Sequence, residues 1–293
     1  MIQAVAPTSV AVEWGNRHGV LALDLPDTAV ALEIAPHLVP GIDPAERPSP
    51  VEGRIVVLQG EARWQSDDIA ESLLTPVKEL RAGESETTVA ALESPVEWVA
   101  PKTNLASLLR ERAALQLSEE FLADPTRQVA LALREAAYHR QQEVAWLAQR
   151  GLALLGDVEL AAAGLDDVDR KAQWEEIIIE LRAAAARSPR TAAAVRDACR
   201  RLFEEDGETV YRLLWMYPSE QLPVDSAREL VGYLAHARLA VRVLAIWNLE
   251  QATGMRMYYE PDAPEARRKP SVERWRARVN NDPTLPGISR KAQ

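Results

Sequence analysis

Cysteine is almost absent from this chain of 293 residues. Cys199 stands alone, which excludes an intramolecular disulfide and any zinc cage built from thiolates. So few cysteines suit either side of a bacterial membrane, and the redox compartment stays open. Long apolar runs are missing too: no stretch approaches the ~18 residues of a membrane span. The opening MIQAVAPTSV has neither the basic start nor the apolar core expected of a signal peptide. Basic charge is in deficit, with 34 Lys+Arg against 44 Asp+Glu and a formal net charge of −10. A dedicated nucleic-acid binder needs a basic face, so that class is disfavoured. No glycine-rich loop leads into a helix, which removes the P-loop and the dinucleotide fingerprint. The hydrolase and metalloprotease signatures G-x-S-x-G and H-E-x-x-H are absent as well. What is present is apolar residue in quantity, 47% of the chain against 27% charged, enough for a sizeable core. At roughly 150 residues per domain, the length suggests about two.

The charge is unevenly placed. Residues 1–100 hold 16 acidic and 6 basic side chains, a net of −10, whereas residues 101–293 hold 28 of each. The hydrophobic period changes at the same place. In the first third it is two, as in half-buried strands: Val10, Val12 and Trp14 share one face, as do Leu21, Leu23 and Leu25, and Val30, Leu32 and Ile34. Gly15-Asn16 and Pro26-Asp27 are reversals between these runs. A proline-rich connection spans Pro36 to Pro50. Arg54–Leu58 and Glu61–Trp64 read as a strand bent at Gly60, Thr87–Leu92 closes the sheet, and Leu73–Leu80 reads as a short helix or irregular segment.

Beyond about Pro101 the period becomes 3.6. Trp174, Ile177, Ile178 and Leu181 form one stripe, as do Val144, Leu147, Ala148 and Gly151, and Ala240, Val243, Leu244 and Trp247. Asp124-Pro125, Ser188-Pro189, Pro218-Ser219 and Gly254 mark starts and stops, and about eight helices are expected between Asn104 and Val279. Arg140–Leu155 and Arg238–Thr253 look like one structural unit used twice, similar to the second helix of a HEAT-like repeat. The expected fold class is therefore α+β in separate domains. An N-terminal antiparallel β-sandwich or roll (1–100) precedes an all-α helical bundle or short HEAT-like α-solenoid (101–280), with a disordered tail at 281–293.

Chemistry-bearing residues are sparse. His18 and His37 fall in turns of the β half. On a continuous helix His139 shares a face with Glu135 and Glu143, but metal sites in helical bundles repeat Glu-x-x-His on several helices, and no second copy exists. A salt-linked surface face with Arg134 and Arg140 is the simpler reading. The consecutive pairs Glu175/Glu176 and Glu204/Glu205 point in different directions and read as solvated faces. Cys199 reads as a small buried residue. The basic segment Arg267–Arg278 reads as a terminal helix begun by Pro270 and Ser271, with Val272, Trp275 and Val279 inward and arginines outside. Trp146, Trp174 and Trp247 are assigned to the helical core, and Trp14, Trp64 and Trp98 to a cluster in the β half. No residue is assigned a catalytic, cofactor-binding or metal-binding role, and no cofactor is expected.

VALEIAPHLVPGIDP and RIVVLQGEARW, followed by a helical part ending ELVGYLAHARLAVRVLAIWNLEQATGMRMYYEPDAPEARRKPSVERWRARV, resemble FecR-domain proteins of planctomycete type. The turn at Tyr259-Glu260-Pro261 and the closing Trp275 are the most specific part of this likeness. It implies a FecR-like β domain and a HEAT-like helical region. It also implies regulation or cell-envelope assembly through contact with another protein, in sigma-factor signalling or as an envelope component. The implied location is periplasmic or at the cell envelope, with the cytoplasm as alternative. FecR-type chains commonly carry a membrane helix before the β domain; this sequence has none, so the chain is either a fragment or a soluble relative. A non-enzymatic interaction module is thus expected. The alternatives are a cytoplasmic helical-repeat scaffold, or a hydrolase or metal enzyme with its site at the domain junction.

Overall fold

The computed structural model describes residues 1–15, 17–69, 71–83, 86–92, 105–123, 127–218, 221–281 and 285–286. The expected boundary near 100, Trp98, Asn16, Asp124-Pro125, Ser219 and most of the 281–293 tail lie outside them. The chain forms two compact units: residues 1–37 with 49–107, and residues 38–48 with 108–293. Antiparallel sheets occupy the first and helices the second, so the fold is α+β in separate domains. No helix among the described residues is long and apolar enough to cross a membrane.

In the β unit, one sheet has the order β1 (Ile2–Gln3), β4 (Ala29–Pro36), β5 (Val51–Gln59), β8 (Lys78–Ala82), β9 (Thr87–Ala91). The other has the order β2 (Thr8–Trp14), β3 (Arg17–Leu23), β6 (Ala62–Ser66), β7 (Ser72–Leu74). Every pairing is antiparallel. Alternation sends Val12, Trp14, Leu21, Leu23, Val30, Ile55, Val57, Trp64 and Leu80 into one shared core. The faces inferred from period two hold for Leu21 and Leu23 but not for Leu25, which lies beyond the end of β3 and is 51% exposed. Ile34, at the far end of β4, is likewise outside the core. Two glycines make room for the tryptophans. A Cβ on Gly19 would sit 2.2 Å from the Trp64 ring, and one on Gly53 would sit 2.6 Å from Trp14. The two rings stack with centroids 5.6 Å apart.

The segment 73–80 contains β7 and the start of β8 rather than a helix. Lys78, Glu79, Leu80, Arg81 and Ala82 are all helix formers by propensity, yet pairing with β5 on one side and β9 on the other fixes them as a strand. Glu79 is buried at 2% exposure on the sheet's outer face. Arg54 donates to it at 2.6 Å and Arg81 at 2.8 Å.

The helical unit contains α1 (Leu105–Ala123), α2 (Val129–Ala136), α3 (Gln142–Leu154), α4 (Glu159–Ala163), α5 (Trp174–Arg187) and α6 (Pro189–Phe203). Then come α7 (Gly207–Trp215), α8 (Val224–Tyr233), α9 (Leu239–Thr253) and α10 (Glu265–Asn281). Ser188 caps α6, its hydroxyl accepting the Thr191 N–H, with Pro189 in the first turn. α9 ends at Gly254, whose φ of 68° is the left-handed cap glycine tolerates. Its stripe and that of α5 meet in one large core holding Ile177, Leu181, Val243 and Leu244. A smaller cluster joins α1, α2 and α3 through Leu117, Leu133, Val144 and Leu152.

The two segments read as one unit used twice, Arg140–Leu155 and Arg238–Thr253, are α3 and α9 with the turns before them. Both turns, residues 137–141 and 234–238, carry a histidine at the same place. His139 Nδ1 accepts the Gln141 N–H at 3.0 Å, and His236 Nδ1 accepts the Arg238 N–H at 3.1 Å. His139 therefore lies between two helices and shares no helical face with Glu135 and Glu143. The terminal helix also differs from expectation, starting at Glu265 and carrying Pro270 inside it, while Val272, Trp275 and Val279 are buried as expected. Of the tail, Leu285–Pro286 (β11) pairs with Gln221–Leu222 (β10).

The proline-rich connection is not a free linker. Leu38 and Ala45 pack on the large helical core. Asp43 Oδ1 accepts both the Tyr211 hydroxyl at 2.7 Å and the Ala45 N–H at 2.8 Å. Arg196 lies 3.7 Å from its other oxygen.

Candidate interaction site

An open, largely apolar concavity lies in the β unit where the two sheets end together. β7 closes one sheet and β9 the other, and between them runs a groove of about 690 Å³ lined by Glu71, Ser72, Leu73, Val77, Lys78, Val89, Ala90 and Ala91. Alternation along β7 turns Leu74 into the core and Leu73 outward, where it is 47% exposed. Val77, in the turn between β7 and β8, is 70% exposed. Val89 stands opposite Leu80 and so shares its sheet face; Leu80 is fully buried, but Val89 is left open at the margin. Apolar side chains gathered at one rim of a small unit are the usual mark of a contact surface, in contrast to singly scattered ones.

A second cavity of the β unit, about 190 Å³, lies beside Trp14, Trp64 and Ser66. Its charged rim is closed on itself: Arg17 pairs with Asp68, His18 with Asp67 at 3.1 Å, and Thr87 donates to Asp68 at 3.1 Å. The two indole nitrogens and the Ser66 hydroxyl are buried and make no hydrogen bond among the described residues. Both rings themselves pack in the core of the β unit.

In the helical unit, a cavity of about 290 Å³ between α5 and α9 is lined by Trp174, Trp247 and Tyr259, with the ion pairs Lys171–Asp262 and Glu250–Arg256 at 2.8 Å each. Trp174 is core, as expected. Trp247 is only half-buried, with the Arg182 guanidinium 5.0 Å from its ring. A polar cluster joins Glu229, Tyr217, Arg212 and Tyr233. Tyr217 donates to Glu229 at 2.6 Å, Tyr233 donates to it at 3.1 Å, and Arg212 pairs with it. Burial and the neighbouring carboxylate push the Tyr217 hydroxyl far above its ordinary range, which makes it a donor and a poor base.

Cys199 is fully buried on α6, and burial, reinforced by Glu208, pushes its thiol up to about 12. His37 is exposed. His236 points Nε2 toward Asp206 at 3.4 Å, and Asp206 also accepts from Arg238 at 3.2 Å. On α10, Arg268 donates to the carbonyls of Ala263 and Leu234, and Arg274 to that of Met257. These two arginines satisfy backbone around the helix, while Arg267, Lys269 and Arg276 are exposed on it. No group of three or more metal-ligating side chains occurs among the described residues.

Compared with known proteins, the chain matches no family model, no curated protein and no solved structure.

Proposed function

We propose that this chain is a non-enzymatic protein-interaction module, a FecR-like regulatory or cell-envelope component whose acidic β unit makes the contact. The observation that carries the reading is the groove between β7 and β9, where Leu73, Val77 and Val89 are exposed together. The FecR-type likeness supports it, since such domains act by protein contact on the outer side of the inner membrane. On that basis the working compartment is the periplasm or cell envelope. The helical unit, with its twice-used helix–histidine turn–helix, supports a HEAT-like scaffold role beside it.

The test compares the intact chain with its Val77→Asp variant in pull-downs from envelope and soluble fractions. Val77 is outside the core, so the variant keeps its fold, which circular dichroism checks. A protein retained by the wild type from the envelope fraction and lost by the variant is the expected result. Equal capture by both, or nothing from the envelope, removes the proposal.

A further inference from the structure

The strand beside the groove indicates what form a partner takes there. β9 reads Thr87-Thr-Val-Ala-Ala91, with no charge, no proline and no break in its register with β8. It ends its sheet, so along one side its backbone N–H and C=O groups have no strand neighbour among the described residues. Sheet edges are ordinarily guarded by lysines, prolines or bulges, and β9 has none of these within it. Its inner-face residue Val89 opens onto the groove that Leu73 and Val77 also line, so a strand laid along β9 would drop alternate side chains into an apolar trough.

Resting on the interaction reading, we propose that β9 accepts an extended, basic segment of a partner protein as an added strand. Charge selects this occupant. Residues 1–100 carry a net of −10, so two copies meeting edge to edge repel, whereas a lysine- or arginine-bearing strand is attracted.

The probe is a short fluorescent peptide alternating lysine with valine, titrated into the full chain by anisotropy, beside an analogue with glutamate for lysine. The lysine peptide is expected to bind about tenfold or more tightly than the glutamate one, and to weaken as salt rises. Methylating its backbone nitrogens one at a time is expected to abolish binding at alternate positions only, because a strand pairs through every second N–H. Amide exchange at those of Thr87–Ala91 whose N–H faces away from β8 is expected to be fast in the free chain and slow in the complex. Equal binding of both peptides, indifference to methylation at every position, a concentration-dependent dimer, or slow exchange of these outward amides in the free chain each overturns strand addition. Indifference to methylation with capture of a partner still sensitive to Val77→Asp would leave the interaction reading standing without it.

Discussion

Glu229 and Glu180 titrate in opposite senses for reasons visible around each carboxyl. For Glu229, burial opposes ionisation, but the hydrogen bonds from Tyr217 and Arg212 outweigh it and hold the group below its ordinary 4.5. Its contribution to stability is present above that value and fades as pH falls through the lower, folded one. Glu180 is raised, chiefly by burial, despite Arg150 at 2.6 Å. Its folded form holds a proton that the unfolded chain releases, so its contribution is full in acid and lost as pH rises through the raised value. Melting curves against pH test the pair: Glu229→Gln flattens the acid-side loss, while Glu180→Gln gains on the wild type as pH rises. Identical pH profiles for wild type and both variants would refute this. Cys199 supplies a second check at the same scale. With its thiol buried and pushed up to about 12, it is expected to ignore a disulfide reagent until denaturant is added.

At the scale of elements, α3 and α9 start in the same way, from an extended residue preceded by a histidine that accepts its N–H. At α9 a further bond comes from outside, as Asp166 Oδ1 accepts the Ala240 N–H at 3.0 Å. His236→Ala and Asp166→Ala are each expected to cost about 1 kcal/mol in chemical denaturation, the ordinary value of a lost hydrogen bond or cap. A loss near zero in both would show that the turn is held by packing alone. α6 and α7 meet more tightly still: a Cβ on Gly207 would lie 2.6 Å from Arg200 Cα and 2.7 Å from the Cys199 carbonyl. Neither is a flexible side chain, so Gly207→Ala is expected to cost about 1–3 kcal/mol. The sequence made much of this scale legible. Period two placed β2 to β4, and stripes placed α5 and α9, because each buries one face against a core, whereas Arg54–Leu58 and Glu61–Trp64, read as one strand bent at Gly60, are β5 and β6 of different sheets. It misplaced β8, since KELRA has helical propensity and its buried Glu79 breaks the alternation that would have marked a strand. The groove was not legible at all. Leu73, Val77 and Val89 become neighbours only through strand order, which no local pattern encodes.

At the scale of the whole molecule, residues 38–48 lie between two paired strands of the β unit, β4 and β5, yet belong to the helical unit. Proline-rich sequence has no period, so nothing in it announces this. The attachment depends on a carboxylate and a phenol 168 positions apart in the chain, Asp43 and Tyr211. Burial, together with that bond, raises the Tyr211 hydroxyl well above its ordinary value, so it stays protonated and donates throughout the physiological range. Asp43→Ala removes this bond, the Ala45 turn and the ion pair with Arg196, whereas Tyr211→Phe removes the hydroxyl alone. In a double-mutant cycle followed by helical circular dichroism, Asp43→Ala is expected to be the costlier single change. The pair is expected to lose about 1 kcal/mol less than the sum of its parts, because the second substitution finds the shared bond already gone. Strict additivity would mean that the bond contributes nothing, leaving Leu38 and Ala45 to hold the segment by apolar contact alone.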